Sequence, residues 1–348
     1  MWVLRGRVAL ILSAVVVLNI GCGNPAPDGH GSVVGYGWLI EVNLEACGVR
    51  PVGYLTPTAL YSAYDSSGRI WARSGQQSVA AMEPETGQVV ASVALPDPPH
   101  LLACVSRHIL IASHNTLRPD GFSASIIDPT TAELIGTLRG FPGPVTGIAA
   151  AGRAVFVATL ATGADELNCL YRIPIRDIAS PSSLPEPVLA ERRGSAQWRI
   201  SAHRGLVFLV DITGRALTAP QVRVLNARTG EIIGSLDAQE LGDITHIIDA
   251  PFLLNSTGVM PVLVQQESTA VALLNLSSLS LRRTVALSGP ISRIIAADED
   301  TVAYVDSLAT ADERGLRVTF AVQKTGEEVG SVYLAEATQG APSAQNRQ

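Results

Sequence analysis

Apolar and polar residues alternate along this chain in short runs, and the runs come in pairs around a recurring turn. Four stretches carry the pattern plainly: residues 82–95, 127–138, 225–236 and 321–334. Each opens on an apolar residue and then turns toward Thr and a Gly or Ala, usually through Asp, Asn or Glu. A second apolar run follows, usually beginning with Glu or Gln. Weaker copies lie at 44–55 and 274–287. Alternation of period two, rich in β-branched residues and bounded by turn residues, predicts strand pairs. The turn residues Gly87 and Ala132 lie 45 positions apart, Ala132 and Gly230 98, and Gly230 and Gly326 96. The missing turns then fall near 180 and 278, where 177–183 and 276–280 are turn-like. A period of about 47 with four short strands per unit is the spacing of a propeller blade.

The other two strands of each unit are legible too. Residues 99–105 precede 108–113, 144–150 precede 153–159, and 196–202 precede 205–210. Further on, 243–249 precede 261–266 and 290–296 precede 301–306. No stretch after the N-terminal segment shows a long helical period. The expected fold class is all-β, a β-propeller of four-stranded blades. Six units are complete between 56 and 334, and 38–44 with 48–55 resemble the outer pair of one more. A ring of seven blades, the last one reduced, is the first expectation; six blades with an added N-terminal hairpin is the alternative. One unit cannot bury its apolar faces alone, so the copies must pack on one another.

Composition narrows the partners. The 348 residues carry a formal net charge of −6, 47% are hydrophobic, and Lys324 is the single lysine. Without a basic cluster, nucleic acid is not an expected partner. Arg5 and Arg7 precede an apolar run over 8–20, short for a membrane span. Gly21 and Cys22 follow. This arrangement resembles a bacterial lipoprotein signal, in which Cys22 becomes the lipidated N-terminus; Ile20 and Gly21 fit that pattern and Asn19 departs from it. The expected organisation is a signal peptide at 1–21, the lipidated Cys22 with a Gly/Pro-rich tether at 22–35, a propeller at 36–334 and a disordered tail at 335–348. The protein is then exported and held in the cell envelope by an N-terminal lipid, at the outer membrane or cell surface, with plain secretion as the alternative. Beyond Cys22, the three cysteines Cys47, Cys104 and Cys169 allow at most one internal disulfide. Cys104, in the apolar run 101–105, is expected as a buried small hydrophobe.

The units resemble the YVTN family of surface-layer-type propeller repeats. Residues 143–158 together with 128–138 carry that resemblance, and the other units follow it. It implies a propeller and little about activity. Pyrroloquinoline-quinone-type repeats share the Thr-Gly turn but place a tryptophan shortly after it. Here Val90, Ile233 and Val329 stand at that place, which argues against a quinoprotein dehydrogenase.

Propellers bind ligands at the central channel or on the loop face around it. Aligning the first strands puts Ala59, Leu101, Gly147, Trp198, His246 and Arg293 in register, preceded by Thr58, His100, Thr146, Gln197, Thr245 and Ser292. Trp198, His246 and Arg293, with Gln197, are the candidate ligand-binding set at the channel mouth. An aromatic face, an imidazole and a guanidinium suit a carboxylate, a phosphate or a sugar. The competing reading makes Trp198 a plug and leaves His246 and Arg293 solvated. A second aligned set, Ser74, Ser113, Thr159, Asp211, Gln266 and Asp306, offers scattered oxygens but no calcium-loop spacing. No GxSxG, HExxH or P-loop is present, and neither cofactor nor metal is expected. The chain therefore reads as a non-enzymatic binding or scaffold module for an envelope protein or small ligand. The alternative is a metal-dependent hydrolase or lactonase using scattered channel residues such as Glu41, Asn168 and Asp211.

Overall fold

A computed structural model describes residues 13–18, 38–43, 46–54, 62–83, 85–162, 166–178, 184–192, 197–212, 221–237, 239–249, 259–266, 269–275, 278–287, 291–297, 300–306, 315–322 and 324–335. The proposed lipidation site Cys22, the tether and the tail beyond 335 lie outside them. The described strands form seven antiparallel sheets, numbered here 1 to 7 in chain order. Sheet 1 has three strands, Ser13–Leu18, Trp38–Asn43 and Gly48–Tyr54. Each of the others has four strands in sequence order across the sheet. Sheet 2 starts with Ser62–Tyr64, sheet 3 with Pro99–Ser106 and sheet 4 with Val145–Ala151. Sheets 5, 6 and 7 start with Gln197–His203, His246–Asp249 and Ile291–Ala297. The fold is all-β and its sheets are propeller-like blades. One short helix, Ile175–Ile178, follows the third strand of sheet 4.

Each sheet touches the next along the chain, and Ser13–Leu18 touches the first strands of both sheet 2 and sheet 7. Side chains fill the spaces between neighbouring sheets. Trp71, Leu110 and Ile127 pack between sheets 2 and 3, and Ile111, Phe141, Val157 and Tyr171 between sheets 3 and 4. Phe156, Trp198 and Leu209 pack between sheets 4 and 5. Phe208, Val262 and Leu274 fill the next space, and Leu263, Tyr304 and Ala321 the one after. A strand inside such a stack is covered on both faces, so it can be apolar throughout. Ile109–His114 and Ala154–Thr159 are buried at every position. The fourth strands overhang the stack. Val89, Val90, Leu134, Ile135, Ile232, Ile233 and Val329, all just after the repeated turn, are exposed.

The turn that sets the repeat has one backbone geometry. Gly87, Ala132, Gly230 and Gly326 have φ of 68°, 58°, 81° and 74°, and the weaker copies place Cys47 at 47° and Leu279 at 46°. This left-handed region favours glycine, because an L side chain there crowds the following carbonyl. The N–H of Gly87 donates to the Glu83 carbonyl, Ala132 to Asp128, Gly230 to Asn226 and Gly326 to Val322, at 2.7–2.9 Å. The Thr86, Thr229 and Thr325 hydroxyls each accept the N–H two residues on, at 3.2, 3.3 and 3.2 Å. One register shift accompanies each turn, at Leu39/Ile40, Ala81/Met82, Ile126/Ile127, Val224/Leu225, Leu273/Leu274 and Phe320/Ala321. The extra residue is a bulge that increases local twist. Sheet 4 is the exception: its third strand, Asn168–Pro174, runs into the helix before Leu189–Glu191 returns.

Candidate functional site

The first strands carry the residues that alignment selected. Gln197 is exposed at the start of its strand. Trp198 has no exposed surface and lies among Ala158, Leu170 and Ile200 between sheets 4 and 5. It is therefore part of the inter-sheet core rather than a face offered to a ligand. The reason is the pleat: successive side chains of a strand point to opposite sides, and the side chosen by Trp198 is filled by the preceding sheet. The Thr146 hydroxyl donates to the Trp198 carbonyl at 2.8 Å, joining the two sheets. His246 opens a strand and pairs with Gln265, and Arg293 pairs with Val305. Their side chains lie outside the described set.

Beside Trp198 sits a buried polar cluster. The Arg223 guanidinium lies 5.4 Å from the Trp198 ring centroid, a cation–π arrangement. Its Nε donates to Gln221 Oε1 at 2.6 Å, and Nη2 lies 2.9 Å from Glu191 Oε2 and 3.9 Å from Asp211 Oδ1. Trp198 Nε1 is buried with no hydrogen-bond acceptor among the described residues. Asp211 is thus already committed to a cation. Asn168 is committed too, its Oδ1 accepting the Ala161 N–H at 2.7 Å. Of the other aligned oxygens, Ser113 and Thr159 are fully buried, and the Thr159 hydroxyl donates to the Cys169 carbonyl at 3.4 Å.

A second grouping was not selected by alignment. His100, on the first strand of sheet 3, is held below the usual histidine range by burial and by the charges of Arg199 and Arg73. Those arginines come from sheets 5 and 2, so charges from two other sheets act on this imidazole. The Arg199 Nη1 donates to the Thr146 carbonyl at 3.0 Å. Arg73 donates to the carbonyls of Gly75 at 2.8 Å and Gln76 at 3.2 Å, and burial lowers its pKa. Among the described residues no carboxylate pairs with Arg73. His100 stands in the aligned position just before Leu101, so one of the three residues was visible. Arg73 sits on the second strand of its sheet and Arg199 one place past the aligned tryptophan, so no single register joins them.

Other polar clusters have structural explanations. Asp65 accepts from Trp71 Nε1 at 2.9 Å, the Ser67 hydroxyl at 2.6 Å and Arg69 Nε at 2.8 Å. Burial pushes its carboxyl up, but these bonds outweigh it and hold the group below the usual range. Asp65 and Arg69 line an open hollow of ≈ 440 Å³ with Arg107 and Thr130. Buried His114 places Nε2 2.8 Å from the Ser125 hydroxyl and Nδ1 3.3 Å from the Pro98 carbonyl. Beside it, Arg118 holds both oxygens of Asp97 at 2.8 Å. Cys47, Cys104 and Cys169 are free thiols. Cys104 is half-buried rather than buried, because it lies at an irregular strand end where its Sγ meets the Ser106 carbonyl.

No protein-family model matches this chain, and no curated protein does. Among solved structures, the computationally designed Ika8 protein aligns with a TM-score of 0.54 at 12% identity, over 94% of this chain and 89% of its own. A chain of the Mitotic Checkpoint Complex aligns with a TM-score of 0.53 at 15% identity, over 78% of this chain and 81% of its own. At these identities the likeness concerns architecture, and the architecture is the all-β array of propeller-like sheets described above.

Proposed function

We propose that this chain is a non-enzymatic binding module of the cell envelope, a lipid-anchored seven-bladed propeller of YVTN type with one reduced blade. Its ligand or partner presents a carboxylate or phosphate to Arg73, His100 and Arg199. The observation that carries this reading is that the charges of Arg199 and Arg73, from sheets 5 and 2, both act on the partly buried imidazole of His100 in sheet 3. Two guanidinium groups and an imidazole can each donate charge-assisted hydrogen bonds to such an anion, and the anion's charge favours protonation of His100. The lipoprotein-like segment before Cys22 and the tether after it supply the anchoring part of the proposal.

The test is crosslinking and capture from intact envelope with tagged full-length protein, beside an Arg73→Ala/His100→Ala/Arg199→Ala variant. In parallel, inorganic phosphate and citrate are titrated into the purified protein while the His100 imidazole is followed by NMR. A stoichiometric partner lost in the variant, or an anion that raises the His100 pKa, is expected. Equal capture by both forms with no response of His100 overturns the assignment of this face. Metal-dependent turnover of a simple ester or lactone overturns the binding-module reading itself.

A further inference from the structure

The three-stranded sheet holds a conflict that points to a second site. Ser13–Leu18 pairs antiparallel with Trp38–Asn43 in a register running from Ser13↔Asn43 to Leu18↔Trp38. It also lies against Ser62–Tyr64 and Ile291–Ala297, the first strands of the two neighbouring sheets. The same six residues, SAVVVL, are the centre of the apolar run that precedes Cys22. Cleavage before Cys22 removes them. Trp38–Asn43 then keeps Gly48–Tyr54 on one side and loses on the other the partner that sheets 2 and 7 flank. Backbone N–H and C=O groups along that edge need new acceptors and donors.

The remaining chain is poorly suited to refill the position. Residues 23–28, GNPAPD, contain Pro25 and Pro27, which have no N–H to donate. Residues 29–37 are GHGSVVGYG, where four glycines weaken a strand and only a tight turn would separate it from Trp38. Residues 336–348 start from Glu328–Ala335, the last strand of sheet 7, which touches Gly48–Tyr54 on the far side of sheet 1 from Ser13–Leu18. They hold Gly340 and Pro342, and alanine is their only aliphatic side chain. We propose that the vacated edge of sheet 1 is a strand-accepting site, filled in the mature protein by an extended, apolar, proline-free segment of an envelope partner. Main-chain pairing supplies the affinity, and coverage by sheets 2 and 7 demands apolar side chains in alternate positions on both faces. The inference rests on the export reading above, because an uncleaved chain fills the position itself.

The experiment uses mature protein extracted from membranes in detergent. Its intact mass is measured first. A chain beginning at lipid-modified Cys22 upholds export, whereas a mass that includes Met1 sinks the export reading and removes the vacancy with it. The probe is a synthetic peptide of residues 12–19 with flanking lysines for solubility, beside its Val16→Pro analogue. Saturable one-to-one binding of the first peptide, a Tm rise of about 3–5 °C near saturation and at least tenfold weaker binding of the analogue are expected. For a chain that begins at Cys22, no binding, or equal binding of both peptides, overturns the strand-accepting site and leaves the export reading intact. A photocrosslinker at position 40 then identifies the occupant in intact envelope. Crosslinks mapping to an extended apolar segment of another protein, displaced by the peptide, support the proposal. Crosslinks to residues 23–37 or to a second copy of this chain overturn it.

Discussion

The repeated left-handed turn makes opposite predictions for opposite substitutions at equivalent positions. At Gly326, φ is 74° and a Cβ would stand 2.3 Å from the Ala286 carbonyl oxygen and 2.9 Å from Val285 Cγ1. Gly326→Ala therefore incurs the left-handed penalty of about 1–2 kcal/mol. It also forces the turn away from a backbone oxygen, weakening the 2.8 Å bond from Gly326 N–H to Val322, worth about 1 kcal/mol. Reduced freedom of the unfolded chain offsets about 0.4–1 kcal/mol. The net expectation is a loss of about 1–3 kcal/mol. Gly152 separates the two causes: its φ is 62° and nothing lies within 4 Å of its Cβ position. Gly152→Ala should cost about 0–1.5 kcal/mol, the conformational part alone. Ala132 already bears the strain at φ 58°, so Ala132→Gly should be neutral or stabilising by up to about 1 kcal/mol. Urea unfolding followed by tryptophan fluorescence reads all three, with the slope against denaturant checked for constancy. If Gly326→Ala matches wild type, or Ala132→Gly costs as much as Gly326→Ala, the shared turn geometry is refuted.

Three further outcomes follow from the core and its polar inclusions. Burial lowers the His114 pKa, with partial opposition from the Pro98 carbonyl and Asp97, so the unfolded chain takes up protons first as pH falls through about 6.5. Stability is then full above that pH and falls below it by up to about 1.4 kcal/mol per unit for this residue; a His114→Gln variant should flatten the pH 7.5 to 5.5 dependence in urea titrations. Phe156→Ala, in the space shared with Trp198, should cost about 3–5 kcal/mol by the same assay. Thr146→Val should cost about 1 kcal/mol by removing the 2.8 Å bond to the Trp198 carbonyl, and an unchanged midpoint would show that this link between sheets is idle.

The strand pairs were legible because two signals coincide at each: alternation of apolar residues and a turn whose backbone admits few residue types. The signal was strong enough that Cys47 and Leu279, neither of them glycine, hold the same left-handed geometry as Gly87 and Gly230. The site was less legible. Alignment along a strand fixes a residue's height in its sheet, but not whether a neighbouring sheet covers the side it faces. Trp198 and Gln197 are adjacent in sequence, yet one is buried between sheets and the other exposed. The influence of Arg73 and Arg199 on His100 joins side chains far apart in sequence, a long-range relation that no local spacing encodes.

The irregularity of sheet 4 bears on how the chain finds its native arrangement. Units built to one pattern can pair a strand with the wrong copy at little energetic penalty, and such misassembly is a characteristic failure of repeat proteins. Sheet 4 cannot be mistaken for its neighbours. In place of the shared turn it carries Ile175–Ile178 and a longer return, and Arg172 Nε donates to the Ala227 carbonyl of sheet 5 at 3.0 Å. A Cβ at Gly230 would come within 2.9 Å of Val188 Cγ1 from that same return. Similar arginine-to-turn contacts join sheets 2 and 3 and sheets 6 and 7, so it is the helix and the longer return that set this unit apart, giving blade order a reference from which the other units are counted.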